Sequence, residues 1–164
     1  MFFRIKKIKS KEYSYIVENQ WGEKGSRQKV KGYLGRLYRF DLKSKIDFLD
    51  FMKVSNSADY VKNNKKDQLI CDLIEWELFR FGISKQEFLI DLNCPKIQKK
   101  TKNVVFFIND GFLCGLTIGN LLNFNVKGDE QIDGYGFARA FVEAGIKVPK
   151  EVFVGIFGKL QNND

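Results

Sequence analysis

The sequence contains no histidine among its 164 residues, and it has only two prolines. Without histidine, the chain cannot build Ser-His-Asp or Cys-His nucleophile systems, histidine-containing zinc sites or histidine-dependent nuclease centres. An enzyme built from this chain would have to use carboxylates and lysines for its chemistry.

Cysteine is also scarce, and its placement excludes a disulfide framework. Cys71, Cys94 and Cys114 are far apart and include no C-x-x-C pair, and their number is odd. We interpret them as reduced, mostly buried thiols and expect a cytoplasmic protein. The first charged residue is already Arg4, with no long apolar run behind it, so we expect no signal peptide.

Only one segment approaches the length of a membrane span. Residues 103–126 contain a single charge, Asp110, and a spanning helix needs about 20 apolar residues. Asparagines and glycines interrupt this segment repeatedly. We therefore interpret it as a buried strand, a turn and a helix, and we predict no membrane partner.

Positive charge is abundant and unevenly distributed. The chain has a formal net charge of +8, and residues 1–41 hold eleven Lys and Arg against four Asp and Glu, a net charge of +7. A basic patch confined to one segment is typical of a surface that binds a polyanion. The alternative is that the charge serves solubility alone.

The basic segment has the pattern of a β-sheet. Strand-like runs at residues 3–6, 13–18 and 27–31 alternate with turn residues, which predicts a three-stranded antiparallel β-meander. Because side chains alternate along a strand, Phe3, Ile5 and Val30 should lie on one apolar face of the sheet. This face should pack against the rest of the protein.

The opposite face of this sheet should then carry the basic side chains. Two glycines around Tyr33 allow a bend and a close approach of the backbone to a ligand. Lysine and arginine neutralise phosphates, and tyrosine can stack on a base. The predicted nucleic-acid-binding residues are Arg4, Lys6, Arg27, Lys29, Lys31, Tyr33 and Arg36.

Residues 2–38 resemble a region of known proteins. They contain a basic strand, a Lys-Glu-Tyr hairpin, Y-x-Y-I-V-E and then R-Q-K-V-x-x-Y-L-G. This order is similar to the region that precedes the catalytic core in some insertion-sequence transposases of the DDE class. The resemblance implies a role in gripping DNA for Arg27, Lys29, Lys31, Tyr33 and Arg36. The rest of the chain is too short for an RNase-H-like core and has no triad of spaced acids, so no transposase activity is expected.

The remaining chain, residues 42–164, is predicted to form an α+β, mostly helical core region. Residues 1–41 are predicted to form a basic β-meander module, and the two regions can also belong to one continuous domain. Residues 56–66 are polar and predict a loop. Gly155 and Gly158 in the last helix can mark a close helix contact, which favours a homodimer through the C-terminal helices. Helices are expected at residues 46–52, 66–81, 112–124, 134–144 and 149–160, and short strands at 88–92, 96–101 and 103–108.

One arrangement of residues favours an enzyme instead. The order of PD-(D/E)xK nucleases, in which two carboxylates hold Mg²⁺, is matched by Glu75 or Glu77 on a helix, Asp91 ending a strand and Lys100 on the next strand. Gln98 stands where that pattern requires an acid. We therefore predict no catalytic residues, no metal and no cofactor.

The sequence as a whole predicts a non-catalytic nucleic-acid-binding protein. Its ligand would be DNA or a structured RNA, bound with weak sequence specificity, and the transposase resemblance slightly favours DNA. Two alternatives remain open: a Mg²⁺-dependent nuclease, and an adaptor whose basic face binds an acidic protein.

Overall fold

A computed structural model describes residues 1–162 of the protein. It has a mixed α+β fold, as the sequence predicts. The strands are β1 (Phe2–Ile8), β2 (Lys11–Gly22), β3 (Gly25–Arg39), β4 (Leu89–Asp91), β5 (Lys96–Lys99), β6 (Lys102–Ile108) and β7 (Gly111–Leu113). The helices are α1 (Phe48–Met52), α2 (Ser57–Asn63), α3 (Lys66–Arg80), α4 (Gly115–Leu122), α5 (Glu130–Ala144) and α6 (Lys150–Gln161).

The N-terminal strands form the predicted antiparallel meander. Lys9 adopts a positive φ of 54° in the tight turn between β1 and β2, and Gly25 adopts 96° where β3 begins. The pairing of β1 with β2 ends where Phe2 meets Val17, but β2 and β3 continue to pair as far as Gly22. Residues 18–29 therefore form a two-stranded ribbon that extends beyond β1.

The long strand β3 joins this meander to the rest of the sheet. Its last residues pair in parallel with β6, with Arg36 opposite Val104. On its other edge β6 pairs with β5 and with β7, so the sheet order is β1-β2-β3-β6-β5-β4, with β7 beside β6. The meander and the C-terminal part consequently share one sheet.

The sheet is strongly curled. Phe3 in β1 stacks on Phe112 in β7 with ring centroids 4.6 Å apart, although β2, β3 and β6 lie between them in strand order. In a flat sheet, a spacing of about 4.8 Å per strand would separate β1 from β7 by roughly 19 Å. The inner side of the curl encloses a small apolar cluster around Leu37 and Val105. Phe3 and Ile5 thus dock on the protein as predicted.

The main core lies on the outer side of β6 and β5, beneath the helices. Helix α3 matches its predicted span and buries Leu69, Ile70 and Leu73 completely. Phe106 of β6 faces these helices, with Phe88 at 4.8 Å between ring centroids. Because the core covers β3 only at its end, where Tyr38 packs on Phe88, the outer side of β1, β2 and the preceding part of β3 stays open. Within residues 1–162, no helix is both long and apolar enough to cross a membrane.

Several local predictions are wrong, and of the three cysteines expected to be mostly buried only Cys114 is buried. The polar segment predicted as a loop contains α2, because the side chain of Asn56 caps that helix by accepting the N–H groups of Ala58 and Asp59. The helix expected at residues 112–124 starts later, since Asn109 and Asp110 both adopt positive φ and turn β6 back into β7.

Of the two glycines that indicated a close helix contact, Gly155 makes that contact within the chain, whereas a Cβ atom at Gly158 would meet nothing within 4 Å. Gly155 of α6 lies against Val61 of α2, and a Cβ atom at position 155 would overlap with the valine side chain. The packing of α2 on α6 therefore accounts for Gly155 without a second subunit.

Replacing Gly35 with alanine should destabilise the fold by about 2 kcal/mol or more. Gly35 has a φ of 137°, and a Cβ atom there would lie 2.7 Å from the carbonyl carbon of Asn103, where β3 meets β6. Urea unfolding followed by tryptophan fluorescence measures the change in the free energy of unfolding. Gly22→Ala is the control, since a Cβ atom there meets nothing within 4 Å. Equal stability of the two variants would contradict this role of Gly35.

Candidate nucleic-acid interface

Two β-bulges in β3 decide which side chains share a face of the meander. Tyr13 lies opposite Arg36 and Tyr15 opposite Tyr33, so Leu34 is an extra residue between these pairs. Ile16 lies opposite Gly32 and Val17 opposite Val30, so Lys31 is a second extra residue in β3. Each bulge shifts the alternation of side chains by one residue.

The predicted binding residues therefore separate into two groups. In β1, Arg4 lies opposite Tyr15 and Lys6 opposite Tyr13, which places both basic residues on the side of Tyr33 and Arg36. We call this outer surface the tyrosine face; it consists of Arg4, Lys6, Tyr13, Tyr15, Tyr33 and Arg36. The other predicted residues lie elsewhere.

Arg27 and Lys29 lie on the opposite side of the ribbon, beyond the bulge at Lys31. Between them, Gln28 faces the same way as Arg4, whose Nη1 donates a hydrogen bond of 2.7 Å to its Oε1. The prediction of one shared face is wrong for Arg27 and Lys29, because simple alternation along β3 ignores the bulge at Lys31. The residues predicted to share that face are Arg4, Lys6, Arg27, Lys29, Lys31 and Tyr33.

Lys31 and Val30 also differ from expectation. Lys31 forms an ion pair of 2.9 Å with Glu18, and this hydrogen bond lowers the pKa of the glutamate. Part of the positive charge of Lys31 is thereby compensated. Val30 does not dock on the protein, since 56% of it is exposed.

The aromatic side chains of the tyrosine face form a cluster. The ring centroid of Tyr33 lies 5.3 Å from that of Tyr15 and 6.3 Å from that of Tyr13. Partial burial, and then the two neighbouring tyrosines, raise the pKa of Tyr33. Tyr33 is nevertheless 57% exposed, so its ring presents a surface on which a base can stack.

A cavity of about 350 Å³ adjoins this face, where the β5–β6 turn approaches β3. Tyr13, Tyr33 and Tyr38 contribute to its lining. Its basic residues are Lys11, Arg36, Lys99, Lys100 and Lys102. Among residues 1–162, no Asp or Glu lines it.

The wall of this cavity is ordered by cation–π contacts. The Arg36 guanidinium carbon lies 4.8 Å from the centre of the Tyr38 ring. Lys99 Nζ lies 5.3 Å from the same ring and also pairs with Glu87. Two cations thus lie within cation–π distance of the Tyr38 ring.

Sequence reasoning missed the contribution of the β5–β6 turn to this site. The run K99-K-T-K102 is visible as a lysine cluster in the sequence. Its position beside Tyr33 follows from the parallel pairing of β3 with β6, and no local pattern indicates that pairing.

The structure does not bring the residues of the nuclease alternative together. Glu75 pairs with Lys85 at 2.5 Å, and Asp91 Oδ1 accepts the backbone N–H groups of Asn93 and Cys94. Asp91 pairs with Lys96 at one end of β5, whereas Lys100 follows its other end, roughly 13 Å away along the strand.

Glu77, the other candidate acid, is fully buried and accepts hydrogen bonds from two separate parts of the chain. Its carboxylate accepts hydrogen bonds from Arg80 Nη1 at 3.1 Å and from the backbone N–H of Lys147 at 2.9 Å. Burial raises the pKa of Glu77 in spite of these partners. The side chain thereby ties α3 to the segment between α5 and α6.

In the part of the chain that the structure describes, no three His, Cys, Asp or Glu residues are grouped so that they could hold a metal ion. No family model, curated protein or solved structure gives a significant match to this chain. The resemblance of residues 2–38 to transposase regions therefore stays a prediction.

Replacing Glu77 with alanine should destabilise the protein by about 3–5 kcal/mol, since it leaves the Arg80 guanidinium buried without its partner. Glu75→Ala, two residues earlier on α3, breaks only a partly exposed ion pair and should cost less than about 1 kcal/mol. Urea unfolding of both variants measures the difference. Similar destabilisation of the two variants would show that the buried pair is not needed for stability.

Proposed function

We propose that this protein binds nucleic acid through the tyrosine face, without catalysis and with weak sequence specificity. The observation that carries the proposal is the clustering of Arg4, Lys6 and Arg36 around three tyrosines on the open side of the sheet. The guanidinium and ammonium groups would contact phosphates, and Tyr33 would stack on a base.

The weak specificity follows from the chemistry of these side chains. Contacts to phosphates carry no sequence information, and stacking on an aromatic ring tolerates every base. Binding should therefore weaken steeply with salt, because each neutralised phosphate releases a counterion. The transposase resemblance favours DNA slightly, and a structured RNA has the same charge.

Arg27 and Lys29 have a smaller part in this proposal. They lie on the other side of the ribbon, so a strand that follows the tyrosine face does not meet them. Because they carry the same charges as Arg4 and Lys6, they offer a control for the effect of net charge.

The alternatives each depend on a separate observation. Mg²⁺-dependent cleavage that disappears in Asp91→Ala would favour a nuclease, and an acidic protein ligand of the tyrosine face would favour an adaptor. The cytoplasmic location remains a prediction.

A homodimer also remains a prediction. A dimer through the C-terminal helices could use Ile132, Tyr135 and Val142, which are exposed on α5.

The charge reversal Arg4→Glu/Lys6→Glu should weaken binding to labelled single-stranded DNA, duplex DNA and RNA by roughly tenfold or more. It should also make the slope of log K against log salt concentration shallower, by about 1.8 for duplex DNA and about 1.4 for single-stranded DNA, because two phosphates are no longer neutralised. Fluorescence anisotropy across a salt series measures both quantities.

The matched control is Arg27→Glu/Lys29→Glu, which changes the net charge by the same amount on the opposite side of the ribbon. It should reduce the affinity less than the first pair and change the slope less. Equal reductions for the two pairs would mean that binding follows net charge and not the tyrosine face. No binding by the wild type at low salt would overturn the proposed function.

A further inference from the structure

The cavity beside the tyrosine face has the volume of a small-ligand pocket. Its volume of about 350 Å³ lies at the lower end of the range of ligand pockets, about 300–1,000 Å³. A duplex can lie across its mouth but cannot enter it. A group with the size of one nucleotide can.

The two walls of this cavity differ in chemistry. On the side of the meander, Tyr13 and Tyr33 form an aromatic wall. On the other side, the wall is basic: Lys100 lies in the β5–β6 turn, and Lys102 is the first residue of β6. A nucleotide has the same division, with a flat base at one end and an anionic phosphate at the other.

The basic residues of the cavity are largely without acidic partners. Within residues 1–162, Lys11, Arg36, Lys100 and Lys102 form no ion pair, and only Lys99 has a carboxylate beside it, that of Glu87. Cations gathered in a concave site repel one another, and the field they create attracts an anion. Phosphate would relieve this repulsion.

We propose, resting on the proposed function, that this cavity holds one unpaired nucleotide of a single strand. The base stacks on Tyr33, and the flanking phosphates lie against Lys100, Lys102 and Arg36. The protein therefore binds where a strand is unpaired, at a loop or an end.

The geometry of Tyr33 favours an unpaired base. The ring of Tyr15 contacts the ring of Tyr33, with centroids 5.3 Å apart, while more than half of Tyr33 is exposed. In a duplex, both faces of every internal base are covered by its neighbours, so Tyr33 has nothing on which to stack. An unpaired base offers a free face.

Free nucleotides carry the same base and phosphate groups. What favours a strand is that basic residues continue away from the cavity along the tyrosine face, where Arg4 and Lys6 can hold further phosphates. A free nucleotide would leave these residues without a ligand.

The test compares a blunt duplex, the same duplex with a short unpaired extension, and the free extension strand. A fluorescent adenine analogue at the first unpaired position reports the environment of that base. The wild type should bind the extended duplex about tenfold more tightly than the blunt one, and the analogue should change its fluorescence on binding. Tyr33→Ala should abolish both effects, and Tyr33→Phe should retain them.

A second variant tests the phosphate contacts independently. Lys100→Ser/Lys102→Ser should make the salt dependence shallower by roughly 1.4, at 0.7 for each phosphate of a single strand. Lys62→Ser/Lys127→Ser, which removes the same charge outside the cavity lining, should leave the salt dependence unchanged.

Each other outcome overturns a distinct statement. Equal binding of blunt and extended duplexes, unaffected by Tyr33→Ala, would overturn the inference and leave the proposed function in place. Competition by a free mononucleotide as strong as that by the strand would overturn the assignment of the cavity to a strand and give it to a free nucleotide. No binding of any of the three nucleic acids at low salt would overturn the inference together with the proposed function.

Discussion

The rest of the structure depends on the parallel pairing of β3 with β6. Gly35 makes this pairing possible because its missing side chain lets β3 approach the backbone of Asn103. The same strand pairs with β2 along most of its length, so one element fixes the meander and anchors it to the helical core. The meander and the turn between β5 and β6 therefore belong to one curled sheet.

The candidate site results from two features of β3, its bulges and its parallel pairing with β6. The bulge at Leu34 places Tyr33 and Arg36 on one side, and the pairing with β6 brings Lys100 next to them. Basic and aromatic groups from distant parts of the sequence thus meet around one cavity. An irregular strand accounts for the site better than the net charge of the segment does.

Much of the fold could be predicted from the sequence because its signals are local. Turn residues and alternation indicate the three strands of the meander, and apolar periodicity indicates α3. The faces of Arg27 and Lys29 relative to Tyr33 could not be predicted correctly, since a bulge depends on how two strands fit together. The place of Lys100 beside Tyr33 could not be predicted either, because it depends on a parallel pairing across more than sixty intervening residues. Charge indicated the segment that carries the tyrosine face, and only the structure divides that segment into two sides.

The most direct test of this account is a map of backbone amide chemical shifts as a single-stranded oligonucleotide is added to the protein. The account predicts that the changes concentrate at Lys6, Tyr13, Tyr33 and Arg36 and at the turn around Lys100, with small changes at Arg27 and Lys29. Changes confined to the ribbon, or to the exposed side of α5, would contradict it.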